Sequence, residues 1–243
     1  MRRHDRDRFQ TVLFAPAARR EALFALYAFN HEIARVRERV SEPTLGRIRL
    51  EWWRETIAAG YEDGPVRRHD VVEALTGAIR AHGPTREHFD RLIDAREMDL
   101  TEQAPTSLAA LEDYAEAVSG RLIYLALELL GVDDRGARQA GFHVGIAYGL
   151  AGLLRAMPYP ARASRPLVPA EVAAAASRHL ALARGLRSAV ARAALPALLP
   201  AIVAERYLRR LRRAGCDPFD KTMTAPDPLQ SWRLTAAALV NRF

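Results

Sequence analysis

The stretch Leu23–Thr56, LFALYAFNHEIARVRERVSEPTLGRIRLEWWRET, decides how the chain folds. Ala22, Leu26, Phe29, Ile33, Val36 and Val40 recur at steps of three and four, which sets them on one side of a helix. Asn30, Glu32, Ala34, Arg37 and Glu38 fill its other faces. Ser41-Glu42-Pro43 breaks this helix, because proline disfavours helical backbone at the residue before it. Thr44 then reads as the N-cap of a second helix that Gly60 ends, with Leu45, Ile48, Trp52 and Thr56 on one face. Adjacent Trp52 and Trp53 cannot both point inward on a helix, so one is core and the other lies at a rim or faces a partner.

The same punctuation runs along the rest of the chain. A polar lead to Pro16 precedes the first helix, expected over residues 17–40. Asp70–Ala81 is a short helix stopped by His82-Gly83-Pro84, and Thr85 caps the next, with Phe89, Leu92, Ala95 and Asp99 in register. Pro105-Thr106-Ser107 opens a long helix to Leu130 with Gly131 just past its end, and Gly120 within it marks a close helix contact or a bend. Asp133 or Asp134 caps a helix to Met157, which Pro158 and Pro160 stop. After the loop ARASRPLVP come an Ala-rich helix over 170–193, a break at Pro196 and Pro200, an Arg-rich helix to Ala214, a proline-bearing loop, and an amphipathic helix over 229–242. No segment alternates with period two long enough for a strand. The expectation is a single all-α domain, a bundle of roughly eight helices.

Composition narrows the function classes. With 243 residues, 49% of them hydrophobic, the chain can bury a full core. Lys+Arg exceed Asp+Glu by 36 − 29, a net charge of +7, and every cation but Lys221 is arginine. That excess reflects either base composition or an anionic partner such as a phosphate or a lipid surface. Charge alone does not make a nucleic-acid binder, and none is expected. Cys216 is the single cysteine, which excludes an internal disulfide and a thiolate metal cluster. MRRHDRDRFQ lacks the apolar core of a signal peptide, and no run of about 18 apolar residues occurs. The reading is a cytoplasmic protein, soluble or peripheral on the inner face of the membrane. His31 and His143 are not spaced as metal ligands with any carboxylate, and no Ser-His-Asp order or glycine-rich phosphate loop stands out.

Two blocks carry a family resemblance. Tyr27-Ala28-Phe29 with the helix that follows, and Gly145-Ile146-Ala147 with Leu154-Arg155 and the close at Pro169, resemble the two signatures of the squalene/phytoene synthase family. Arg96–Leu100 and Leu111–Tyr114 resemble its middle block, so the likeness runs from about Phe9 to Pro169. It implies an isoprenoid-synthase bundle with a central cavity. In that family, aspartates four residues apart on two facing helices hold Mg²⁺ ions that clamp a diphosphate, and an apolar cavity shields the carbocation. Here Ala34 and Arg35 stand where the first aspartates belong, and only Glu38 remains at the last position of that signature. Gly152, Ala156 and Pro160 replace the second signature's asparagine and aspartates. A lone Glu38 is a poor metal site, and Asp94, Glu97 and Asp99 are read as a charged face before a substitute site.

Ala28-Phe29-Asn30, Ser41-Glu42, Leu45–Arg49 followed by Trp53, Leu153–Tyr159 and Leu229–Arg233 resemble a branch of the family without these aspartates, one that serves the assembly of respiratory complex I in mitochondria. This implies a non-catalytic protein with no cofactor, whose partners are complex I subunits or assembly intermediates. The competing reading is an active prenyl transferase that condenses two prenyl diphosphates at an altered metal site and needs Mg²⁺. Asn30, Tyr148 and Arg155 are candidates for a pocket that binds an anion or a prenyl lipid, Arg155 being either an anion ligand or the partner of Glu38 or Asp99. Arg206, Arg209, Arg210 and Arg213 form a basic stripe beside Tyr207, Leu208 and Leu211. Either that helix lies on an anionic bilayer with its apolar side down, or the apolar side packs on the bundle.

Overall fold

A computed structural model describes residues 5–62, 64–101, 105–156, 168–225 and 227–243. Helices carry it, and no strand occurs among the described residues. They are α1 (Arg6–Val12), α2 (Ala17–Ala34), α3 (Val36–Arg39), α4 (Pro43–Tyr61), α5 (Asp70–His82), α6 (Arg86–Met98), α7 (Leu108–Ala115), α8 (Arg121–Leu129), α9 (Arg135–Ala156), α10 (Pro169–Gly185), α11 (Leu195–Leu198), α12 (Pro200–Arg213) and α13 (Gln230–Leu239).

Local signals placed most boundaries. Gly83 and Gly131 end α5 and α8 with φ of +57° and +74°, a backbone that favours glycine. Asp134 Oδ1 caps α9 by accepting from the Ala137 N–H at 2.7 Å. Thr85 precedes α6 as expected, but its side chain makes no cap bond; its N–H and hydroxyl both donate to Glu128 of α8. Four expectations change. The polar lead contains a helix, α1, capped by Asp5, whose side chain accepts from the Arg8 N–H at 3.0 Å. The first long helix ends at Ala34, with Arg35 leaving helical geometry before α3. Pro43 itself is the first residue of α4, where its missing N–H costs nothing, so Thr44 is not the cap; Gly60 lies inside that helix against Ile79. The Ala-rich helix stops at Gly185, and short 3₁₀ turns carry the chain to α11.

The centre of the bundle is α9. Gly141, Gly145 and Gly149 line one of its sides and admit the unit formed by α7, a π-helical turn over Glu116–Gly120, and α8. A Cβ on Gly145 would overlap the Gly120 backbone, and one on Gly149 would press on Ala115. The bend expected at Gly120 is therefore a π-turn, the usual way an extra residue is absorbed without breaking a helix. On its other sides α9 packs against α10 and α12, while α8 reaches α2 and α6. Phe29, Phe89 and Trp53 meet edge-to-face with ring centres 5.2–5.5 Å apart. Trp53 is the core tryptophan and Trp52 the rim one, covered by the Arg67 guanidinium.

Between α9 and α10, His143 Nδ1 and His179 Nδ1 share a hydrogen bond at 2.9 Å, and His179 Nε2 lies 3.4 Å from Glu112 of α7. Burial pushes both imidazoles below their ordinary value of 6.5, and does the same to His88.

Two outcomes are expected. Gly145→Ala destabilises the fold by about 1–3 kcal/mol in denaturant titrations, since the backbone it meets cannot move aside. Gly152→Ala, on the same helix, meets nothing within 4 Å and is neutral or stabilising by up to about 1 kcal/mol. Equal costs for the two would contradict the glycine contact. Separately, histidines whose folded pKa lies below 6.5 bind fewer protons than in the unfolded chain, so their stabilisation is complete above 6.5 and lost as the pH falls below it. Tm therefore drops between pH of about 7 and about 5, and His143→Gln makes that slope shallower; a flat pH profile would count against it.

Candidate functional site

The two signature helices are α2 and α9. Tyr27 and Asn30 lie one turn apart on α2, both buried, and Tyr148 and Arg155 lie two turns apart on α9. What joins them is α1. Its Arg8 guanidinium sits 5.6 Å from the Tyr27 ring and 4.9 Å from the Tyr148 ring, a cation held between two aromatic faces. Asp5 completes the cluster with an ion pair to Arg8 at 2.9 Å, both side chains about 15% exposed or less. Burial works against every charge here, and the members offset it for one another. Asp5 falls below the usual carboxylate range because Arg8 outweighs its burial, and Arg8 rises above the ordinary arginine value through Asp5 and the two tyrosines. The Tyr27 hydroxyl is pushed up to about 12 by burial, so it stays protonated at any physiological pH. Asn30 Oδ1 is buried without a hydrogen-bond partner among the described residues.

Arg155 pairs with neither Glu38 nor Asp99. Asp7 of α1 takes it at 2.9 Å, leaving the guanidinium side chain 48% exposed. Burial alone would lower Arg155, but Tyr148 and Asp7 more than offset it. Beyond Arg155 a cleft of about 280 Å³ opens between α1, α9, α12 and α13. Five guanidiniums line it, those of Arg6, Arg155, Arg206, Arg210 and Arg233, against the carboxylates of Asp7 and Asp227. Tyr207 lines it too, with a hydroxyl that is buried, lacks a partner among the described residues, and is raised to about 12 by burial. Ile202, Val203 and Met223 supply an apolar wall. The arrangement can hold an anion whose other end is apolar.

The stripe on α12 is therefore put to internal use. Arg206 faces Asp227 at 3.3 Å, Arg210 donates to the Thr222 carbonyl at 3.3 Å and to that of Ala225, and Arg209 pairs with Glu205 at 3.0 Å. Leu208 and Leu211 are 1% and 0% exposed. The helix cannot lie apolar side down on a bilayer, because the bundle already covers that side; Arg213 remains at the surface.

The metal positions are equally clear. Ala34 ends α2, Arg35 leaves the helix, and Glu38 pairs with Arg35 at 3.2 Å on the exposed surface. Gly152 looks onto open space and Ala156 is exposed at the end of α9; Pro160 lies outside the described residues. Mg²⁺ needs several carboxylate oxygens around one point, and this set offers one carboxylate that is already paired. Asp94 and Glu97 are held by Arg54 at 3.0 and 2.9 Å, and Asp99 by Arg96 and the Tyr114 hydroxyl, so this acidic block is an ion-paired face. Asp94, Glu97, Asp99 and Tyr114, with Arg47, Leu111 and Leu153, border a second, larger cavity of about 1130 Å³. Among the described residues no group of three or more His, Cys, Asp or Glu is placed to hold a metal ion.

The profile of the Squalene/phytoene synthase family matches residues 1–176. The chain belongs to that family. Its relatives include the proteins named NADH dehydrogenase (ubiquinone) complex I, assembly factor 6, from Bos taurus, 32% identical over 96% of this chain and 80% of that protein, and from Homo sapiens, 31% identical over 97% and 80%. A presqualene diphosphate synthase of Rhodopseudomonas palustris is 30% identical over 68% of this chain and 58% of its own length. Among solved structures, a dehydrosqualene synthase overlays with a TM-score of 0.80 over 99% of this chain and 93% of that one, and the squalene synthase of Alicyclobacillus acidocaldarius with 0.75 over 90% and 92%. At 15% and 19% identity these establish the isoprenoid-synthase fold expected from the two signatures.

Sequence reasoning found Tyr148 and Arg155 but missed Arg8, Asp5 and Asp7. The available signal was Asp5 followed three residues later by Arg8 in a lead that also reads as solvated.

Removing one member of the buried pair is expected to show its role. Arg8→Met leaves Asp5 buried beside two tyrosines and costs about 3 kcal/mol in denaturant titrations. Adding Asp5→Asn, which keeps the cap, restores most of that loss. A double variant no more stable than Arg8→Met would contradict the arrangement.

Proposed function

We propose that this chain is a non-catalytic member of the squalene/phytoene synthase family that acts in the assembly of respiratory complex I, the NADH:quinone oxidoreductase. One observation carries the reading. At the described signature positions the helices present Ala34, Arg35, Gly152 and Ala156 instead of carboxylates, and the carboxylate that remains, Glu38, is paired with Arg35 on the exposed surface. Divalent cations are bound by clustered anionic oxygens, and among the described residues these positions offer no such cluster. Losing a metal clamp removes several kcal/mol of transition-state stabilisation from a diphosphate-leaving reaction, and both clamps are replaced here. The relatives named as complex I assembly factors match nearly the full chain, which supports placing this protein with them.

The partners we propose are complex I subunits or assembly intermediates, with no nucleic acid and no metal or other cofactor. The arginine-lined cleft beside Arg155 suits the phosphate of a prenyl lipid whose chain runs along Ile202, Val203 and Met223. Among the described residues no helix is long and apolar enough to cross a membrane. The location we propose is cytoplasmic, peripheral on the inner face of the membrane where complex I resides.

A deletion strain is expected to assemble less complex I and lose NADH:quinone activity while its squalene-derived lipids stay at wild-type levels. The purified protein incubated with farnesyl diphosphate and Mg²⁺ is expected to yield no squalene or presqualene diphosphate above a protein-free control. Normal complex I in the deletion, or product formation in the incubation, would overturn the reading; the second result would favour the prenyl transferase instead.

A further inference from the structure

α13 carries apolar side chains on two sides. Leu234 and Ala237, 0% and 8% exposed, face inward. Leu229, Trp232, Leu239 and Val240 are 52%, 74%, 72% and 61% exposed, and with Ala236, also exposed, they follow steps of three, four, three and one along the outer side. α1 is tied alongside: Gln10 donates to the Ser231 hydroxyl at 2.8 Å, and the Gln230 amide donates to Asp7 and Gln10 at 2.8 Å each. One turn past Gln10, Leu13 is 46% exposed.

The charged side chains carried by this strip itself are basic. The run LQSWRLTAAALVNRF over 229–243 contains two arginines and no acidic side chain. Asp227, just before it, is 10% exposed and taken up by Arg206 and Arg233. At the far end Arg242 is exposed and sits within electrostatic reach of Arg187, which also feels Arg184; Arg184 and Arg187 both donate to the Phe243 carbonyl.

We propose that this outer face of α13, continued by Leu13, docks on a bilayer surface rich in anionic phospholipid. The exposed fractions of these side chains amount to an accessible strip on the order of 500 Å², below the roughly 800 Å² per partner of a stable protein interface. A bilayer needs no matching groove. Leu229, Leu239 and Val240 enter the acyl boundary, Trp232 sits at headgroup level, and Arg242 at the strip's end meets lipid phosphate. The inference rests on the peripheral-membrane location proposed above and names the surface responsible.

Vesicle co-sedimentation of the full chain tests it. The protein is expected to sediment with phosphatidylcholine vesicles containing phosphatidylglycerol, not with pure phosphatidylcholine, and to release as salt rises. Tryptophan emission shifts to the blue on binding, and Trp232→Phe abolishes the shift while leaving sedimentation in place, since Trp53 is core and Trp52 is covered by Arg67. Trp232→Ser with Leu239→Ser, both surface positions, lowers binding about tenfold or more; Leu239→Ser alone serves if the pair perturbs folding. Equal binding to neutral vesicles, no binding to anionic ones, or binding unchanged in the serine variants would overturn the proposal. So would a solution dimer that the serine variants convert to monomer, which would make the face a self-interface. Failure here is separable from failure of the assembly reading. A deletion that lowers complex I while the protein ignores vesicles overturns docking alone, and docking with normal complex I in the deletion overturns the assembly role alone.

Discussion

The contact between Gly145 of α9 and Gly120 in the π-turn is the constraint on which the rest of the bundle depends. With no side chain on either residue, the two helix backbones touch and α9 takes the middle position. From there its remaining sides reach α10 and α12, and its C-terminal turns carry Tyr148 and Arg155 toward α1. Gly141 and Gly149 extend the same close approach by one turn in each direction. Interiors are packed to near-crystal density, so any added Cβ at this crossing would displace backbone and shift every element that α9 positions.

That geometry belongs to a family whose members bring carboxylates from two helices to one point. In this chain the helices are retained and most of the motif carboxylates are not. Among the described motif positions only Glu38 keeps a carboxylate, and about two turns earlier on each helix Tyr27 and Tyr148 hold Arg8 of α1, with Asp5 as its counter-ion. A buried ion pair gains little over an apolar one of the same shape, but it is costly to break and strongly directional. It fixes α1 against both signature helices. The same helix brings Asp7 to Arg155, so this cation of the second signature lines the arginine-rich cleft.

The surface shows a related division. α12 looks like the amphipathic helix of a membrane-binding protein, yet its leucines are core and two of its arginines bind the loop that follows. α13 has the weaker pattern in sequence and the more exposed apolar side in the fold. Amphipathicity states that a helix has an apolar face; only its neighbours decide whether that face looks inward or outward.

Read alone, the sequence determined the helical class, the single bundle, the ends of α5, α8 and α9, and the loss of the metal-binding carboxylates. These are local properties: periodicity, glycine past a helix end, an aspartate cap, and which residue occupies a motif position. The tertiary structure alone decided the break at Arg35, the helix in the N-terminal lead, the partner of Arg155 and the fate of the Arg206–Arg213 stripe. Each of these depends on groups far apart in the chain. Asp7 and Arg155 are separated by 148 residues, and Gln10 and Ser231 by 221. A short polar segment such as 5–12 gains helical stability mainly from what it packs against, and no local pattern announces that its arginine will be buried between two tyrosines from distant helices.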